Sequence, residues 1–458
     1  MTAPTAAAPA PTGRLPRTYL AWLAGALASL LGDAVLYFAL GWAAAAHGGS
    51  VAGLVLTAIT LPRTLLLLIG GAVADRFGVR RVMLLGDAAM IVLTVALAAA
   101  TRQLGSPVWL LIAAGLAIGI VDAFYLPASG SMPRRLVGTG ALPQALALRQ
   151  TGGQLASLAG GAAGGFLVAA VGLGGVALLD AASFAVMLAV LLAIRPARPT
   201  PPPAPGKGSV LRDALEGLRV AWREPVLRPA LAQVAAAAGF LLPVISLLVP
   251  LLGHHRGWDT GATGLVVGAQ SLGIMAVAVL VVRKGGSDRP GRTAALGLLV
   301  AGTGTAALAL SAAAPFATAA ALMVGLGSGL FSTHVAPLVL TATPEPFLSR
   351  IQALLGVVQS AALLLMNNVL GSLAALTGPP VALGVCAAAV ALTGGAGLAS
   401  TALRTATRTA TGAMTGATTG AVPQGAPAGT PPDARPAPAD GRASESARPR
   451  PSRRSPKN

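Results

Sequence analysis

Apolar runs of about 20 residues, separated by short polar or glycine-rich breaks, recur from Tyr19 to Ala399. Each run is long enough to cross a hydrocarbon core of about 30 Å as a helix. The runs do not alternate at period two, so they do not read as strands of a β-barrel. The pattern predicts about twelve spans, near 18–46, 50–74, 81–101, 107–128, 144–171, 174–194, 229–253, 259–283, 292–313, 315–340, 348–376 and 379–400. The fold class is therefore an all-α integral membrane protein. The first run lacks a convincing cleavage site after its apolar stretch and is taken as a retained helix.

The breaks divide the chain. Residues 1–16 form an Ala/Pro/Thr-rich leader without core-forming capacity, and 17–194 carry the first six spans. Residues 195–228 form a linker, proline-rich up to Lys207 and then amphipathic over Val210–Trp222, where Leu211, Leu215 and Leu218 oppose Arg212, Asp213, Glu216 and Arg219 at helical spacing. Residues 229–400 carry six more spans, and 401–458 form a basic tail of disordered composition. Two six-helix halves joined by a long connection are the layout of carriers that rock about a site near the midplane.

Composition agrees: 54% of residues are hydrophobic and 10% charged, against roughly 25% charged in soluble domains. The net charge of +18 does not imply nucleic acid here. With the N-terminus inside, most arginines and lysines near span ends fall on cytoplasmic segments, which places both termini in the cytoplasm and the chain in the cell membrane. Cys386 is the single cysteine, so an intramolecular disulfide and a cysteine-based metal site are both excluded. His254 and His255 read as a solvated loop pair. Trp42, Trp109 and Trp258 read as interfacial anchors. No P-loop, nucleophile elbow or metal motif occurs, so nothing in the sequence points to catalysis, a metal or a cofactor.

The densest charge cluster is Gly71-Ala-Val-Ala-Asp75-Arg76-Phe-Gly78-Val-Arg80-Arg81, between the second and third spans. Its glycine, the Asp-Arg pair four residues on, the second glycine and the basic pair resemble the loop 2-3 signature of the major facilitator superfamily. The resemblance covers roughly residues 15–400. Val121-Asp122-Ala-Phe-Tyr-Leu-Pro127, Leu142-Pro-Gln-Ala-Leu-Ala-Leu and Asp180-Ala-Ala-Ser-Phe184 are similar to segments of its macrolide-efflux and enterobactin-export branch. Gly160-Gly161 stands where antiporters commonly carry Gly-Pro, and Arg283 to Arg292 is a degenerate second copy of the loop signature. The resemblance implies a two-bundle transporter in which Gly71, Asp75, Arg76, Gly78, Arg80 and Arg81 form a conformational latch.

Ionisable groups inside a bilayer cost about 2.5–3.5 kcal/mol on insertion scales, so each needs a partner or a task. In the first half these are Asp33, Arg63, Asp87, Asp122 and Asp180; the second half has no comparable set of acids within its spans. Asp33 and Arg63 fall at one depth near the midplane and are expected to pair, either as a proton-responsive site or as a static packing pair. Asp122 is expected in the cytoplasmic half of its span. The resemblance implies that it pairs with Arg80 and shares the latch, with direct proton binding as the alternative. Asp87 is expected in packing or the latch, and Asp180 near solvent at the outer end of its helix.

The candidate substrate cavity comprises Tyr37, Phe124, Tyr125, Gln154, Gln270, Gln359 and Asn367, the last two expected on one lining face. The glycines at small-xxx-small spacing on the fifth span serve either packing or a hinge. The expected function is a proton-driven exporter of hydrophobic or amphiphilic small molecules such as drugs, antibiotics or siderophores, working by alternating access as a monomer among membrane lipids. A lipid or lysophospholipid flippase of the same fold and a non-transporting scaffold or sensor are the alternatives.

Overall fold

The computed structural model describes residues 15–194, 219, 222–344 and 347–406. The side chain of Asp75 lies outside the described residues, as do residues 1–14, nearly all of the 195–221 linker with its expected amphipathic helix, and the tail beyond 406.

Among the described residues the chain is helical, without strands. The helices are α1 (Arg17–Ala45), α2 (Gly49–Phe77), α3 (Val79–Leu104), α4 (Val108–Leu136), α5 (Leu142–Ala193), α6 (Leu227–Arg256), α7 (Thr260–Lys284), α8 (Pro290–Leu310), α9 (Ala314–Ala342), α10 (Leu348–Thr377), α11 (Pro379–Ala399) and the short α12 (Thr401–Thr405). Eleven are long and apolar enough to cross a membrane. The 52-residue α5 leaves helical geometry at Gly172, where φ is 66° and ψ is −178°. It is therefore two spans in series, giving the twelve expected. A Cβ at Gly172 would meet nothing within 4 Å, so the backbone angle alone calls for glycine. The expected tail begins with a helical turn, because Ser400 caps α12 at the Leu403 N–H.

Local chemistry sets the helix ends. Gly78, at φ 92°, closes α2 and opens α3 in one residue, and Asp259 caps α7 through a 2.7 Å bond from the Ala262 N–H. Pro290 and Pro379 start their helices at positions where a missing N–H costs nothing. The α6 span departs from α geometry at Ala237–Leu241 and Val244–Leu248, two π-helical turns on either side of Pro243. Proline removes a ladder donor there, and the wider turns accommodate the break.

Packing follows small residues rather than apolar stripes, since lipid is as apolar as a leucine-rich face. In the first half α1 packs on α5, α2 on α4, and α3 on both α4 and α5; in the second, α8 packs on α9 and α11, and α9 on α7. The halves meet through α2 with α10 and α5 with α7. Glycine backbones make these approaches: Gly49 lies on the Gly371 carbonyl, Gly53 on that of Asn367, and Gly165 on Gly264. The α5 glycines divide their work, with Gly152, Gly160 and Gly164 facing α1 at Leu27, Ala34 and Phe38, and Gly161 and Gly165 facing α7 at Val267 and Gly264.

These cross-half approaches gather at the end of the molecule remote from the α2–α3 loop. There the His254 ring stacks on Trp42 with centroids 3.9 Å apart and planes 27° from parallel, and its Nε2 lies 3.0 Å from the Trp42 carbonyl oxygen. His254 belongs to α6 and touches the other half, which corrects the expectation of a solvated loop pair. Trp42 is likewise a contact between halves rather than only a membrane anchor. Trp109, 61% exposed, retains the exposure of an anchor.

Candidate functional site

Two cavities lie between these approaches and the α2–α3 loop end. One, of about 350 Å³, is lined by residues of the first half, among them Asp33, Asp122, Tyr125, Arg149, Gln150 and Gln154. The second, of about 870 Å³, lies between the halves and reaches Val339 and Gln352, each about a turn from the helix ends beside the loop. Gln154 and Ser157 of α5 line both, so the two spaces adjoin along one helix face. The larger cavity has no ionisable lining residue; Gln270, Gln359, Ser271, Ser328 and Ser332 supply its polarity among Leu, Val, Ile and Phe331. The π-helical turns of α6 contribute Ala237, Ala238, Leu241 and Ile245 to its wall.

The carboxylates sit in the first half. The Tyr37 hydroxyl donates to Asp122 Oδ2 at 2.6 Å, and Arg63 Nη1 approaches the same oxygen at 3.9 Å. Arg63 therefore pairs with Asp122 and not with Asp33. The expected pair failed because equal depth is not adjacency: α2 packs on α4, whereas α1 packs on α5. The expected placement of Asp122 is corrected too. Helix α4 runs on to Leu136 instead of stopping near 128, which puts Asp122 midway along it. Arg80 is engaged elsewhere, its Nε donating to the Leu191 and Ile194 carbonyls at 3.0 and 3.1 Å and Nη2 to that of Leu192 at 3.2 Å. It caps the end of α5, where unpaired carbonyls and the helix dipole favour a cation.

Asp33 lines the smaller cavity with a buried Oδ1 that has no hydrogen-bond partner. Asp180 is fully buried, not solvated; the Ser183 hydroxyl lies 3.3 Å from its Oδ1, and Gly32 leaves room for that carboxylate. Asp87 is also fully buried, with the Tyr125 hydroxyl against it but not in hydrogen-bond geometry. Asp87, Asp122 and Asp180 all lie close enough to Asp33 to act on its charge, and of the four Asp33 and Asp122 open onto the smaller cavity.

Of the other cavity candidates, Tyr125, Gln154, Gln270 and Gln359 line the two spaces. Tyr37 instead holds Asp122, and Phe124 packs against the cluster around Trp22 and Met132. Asn367 is 2% exposed at the contact with Gly53 of α2, so it does not share a lining face with Gln359. Eight residues turn a helix by about 80°, enough to move a side chain from cavity wall to interface. Near the loop end of α2, a Cβ at Gly70 would strike the Ala123 carbonyl, whereas one at Gly71 would come no nearer than 4.0 Å, to Pro127. Close packing thus falls one residue before the signature glycine.

Arg149 went unrecognised as a candidate. It lies within the fifth expected span beside Gln150, and asking what each intramembrane charge pairs with would have found it. Its guanidinium stands 5.7 Å over the Trp22 ring and lines the smaller cavity.

Twelve spans in two packed halves around adjoining interior cavities define a membrane transporter. The chain belongs to the Major Facilitator Superfamily, whose family model matches residues 22–367. That family consists of transporters and not enzymes. The chain is similar to the Multidrug efflux pump Tap of Mycolicibacterium fortuitum, 29% identical over 267 residues, which is 55% of this chain and 63% of that protein. The match therefore spans less than two thirds of the relative's length. Among solved structures it resembles a mutant form of the nucleoside transporter NupG, with TM-score 0.67 at 11% identity over 84% of this chain and 100% of the other. It also resembles a POT family transporter in complex with 5-aminolevulinic acid, with TM-score 0.67 at 13% identity over 86% of this chain and 98% of the other. At these identities the likeness is one of fold.

Proposed function

We propose that this chain is a proton-coupled exporter of hydrophobic or amphiphilic small molecules, working by alternating access in the cell membrane. One observation carries the reading: a carboxylate-lined cavity adjoins a larger cavity with no ionisable lining, through Gln154 and Ser157 of one helix. Uncharged walls suit an apolar body, and the adjoining acids give protons a place to bind within reach of it. Asp33, whose Oδ1 has no partner, is the proton site. Asp122 with Tyr37 and Arg63 forms the responsive neighbour, and Gly71 to Arg81 the latch at the loop end. The energy source is the proton gradient, with no cofactor and a single chain as the working unit. The arginine distribution supports cytoplasmic termini, which makes the cavity end beside the loop cytoplasmic. The efflux pump relative supports the outward direction.

The test is transport into inverted vesicles under an imposed pH gradient, using a panel of hydrophobic drugs and siderophores. Gradient-dependent accumulation of at least one compound, lost in Asp33→Asn, is expected. Movement that ignores the gradient, or full gradient-driven transport by Asp33→Asn, excludes the proposed coupling.

A further inference from the structure

Arg149 is a half-buried cation two turns into α5 with no acidic partner within ion-pair distance; among the described residues the ion pair is Arg63 with Asp122. Its contacts are the Trp22 ring face at 5.7 Å and the Ser129 hydroxyl, 3.5 Å from Nη2. A guanidinium carries five N–H donors; the one side-chain hydrogen bond it makes to a described residue is long, and Arg149 is among the residues that line the smaller cavity. A half-buried charge within a span loses part of its hydration, which is costly unless something negative meets it.

The same cavity carries the opposite charge. Asp33 lines it, and its buried Oδ1 is equally without a partner, yet Asp33 and Arg149 do not pair with each other. The other first-half acids are engaged or set back: Asp122 by Tyr37 and Arg63, Asp180 by Ser183, Asp87 behind Tyr125. One cation without an acidic partner and one acid with an unpartnered Oδ1 thus share the wall of a 350 Å³ space that adjoins an 870 Å³ space without an ionisable lining residue.

We propose that the transported compound is a zwitterionic amphiphile, its acidic group held by Arg149, its basic group directed to Asp33, and its apolar body in the larger cavity. This rests on the exporter reading and names the substrate class for it. Arg149 suits a carboxylate or phosphate through paired N–H donors, with Ser129 supplying a hydroxyl beside it. Trp22, fully buried beneath the guanidinium, holds the charge in place by a cation–π contact. Gln154, shared by both cavities, stands where head and body of such a compound join.

The probes are rhodamine B, a cationic dye with a free carboxylate, and its ethyl ester, which keeps the cation and the ring system and loses the acid. Binding to the full chain in detergent is followed by fluorescence anisotropy. The acid is expected to bind at least tenfold more tightly than the ester. Arg149→Gln should weaken the acid to the level of the ester and leave the ester unchanged, Arg149→Lys should keep part of the preference, and Asp33→Asn should weaken both dyes. An acid that binds no better than the ester, with failure of both to bind included, overturns the proposal. So does an Arg149→Gln variant that weakens both equally. If Arg149→Gln does not fold, the acid and ester comparison on the unaltered chain and on Arg149→Lys still decides. Gradient-driven vesicle transport of the ester without preference for the acid would leave the exporter reading standing and this inference refuted. Arg149-dependent binding of the acid without gradient-driven movement would keep Arg149 as the site that holds the acidic group and refute the exporter reading.

Discussion

His254 stacks on Trp42 and also meets its carbonyl oxygen at 3.0 Å, so one side chain ties α6 of the second half to α1 of the first by ring face and ring edge together. The tie lies at the end remote from the α2–α3 loop, while the larger cavity reaches toward the other, so it is expected to hold the remote end shut. His254→Ala removes both contacts and should shift the population toward the oppositely open form. With Ala162→Cys placed against Gly268 in a Cys386→Ser background, water-soluble maleimide should label His254→Ala several-fold faster than its parent. Equal labelling rates would show that the stack does not hold the halves together.

Gly165 and Gly264 bring α5 and α7 into backbone contact, and a Cβ at Gly165 would collide with Gly264. Gly165→Val should therefore prevent this closure, at an overpacking cost of about 1–3 kcal/mol. Transport should fall to background while membrane insertion continues. Gly130→Ala is the contrasting change, since a Cβ there meets nothing within 4 Å. It should leave transport intact and gain up to about 1 kcal/mol from helix propensity. Thermal stability and vesicle transport of both variants check the pair.

Arg80 satisfies three carbonyls at the end of α5 with a single guanidinium. Arg80→Gln should lower stability by about 1–3 kcal/mol, the cost of leaving such groups unpaired. Arg80→Lys should recover only part, because an ammonium lacks the planar fork. Detergent thermal shift measures both, and an unchanged melting temperature for Arg80→Gln would remove the capping role.

Cys386 has no exposed surface and lies in the large hydrophobic core on α11, a helix that packs on α8. It should resist maleimide in the native protein and react once the protein is unfolded in detergent and denaturant. Mass spectrometry before and after unfolding checks this.

The spans were legible because burial in lipid demands long uninterrupted apolar runs, and the chain supplies them from Tyr19 onward. The break at Gly172 fell where the sequence placed it, in the glycine-rich step between the fifth and sixth runs. Gln154, Gln270 and Gln359 were found because an uncharged polar group inside a span faces either a cavity or another helix. Asn367 shows the limit of that reasoning, as its polarity is the same and its place is the α2 interface.

What the sequence determined by itself is the number of spans, the family and the concentration of acids in the first half, since each follows from local composition and motif spacing. Which charges meet was decided by the tertiary structure. Arg63 lies with Asp122 and Tyr37, Arg80 with carbonyls of α5, Arg149 with Trp22, and His254 with Trp42. Depth along a helix can be counted from residue numbers, but azimuth and neighbour are set by how small residues let particular helices approach. That choice is made by backbone contacts such as Gly165 on Gly264, between segments far apart in the chain.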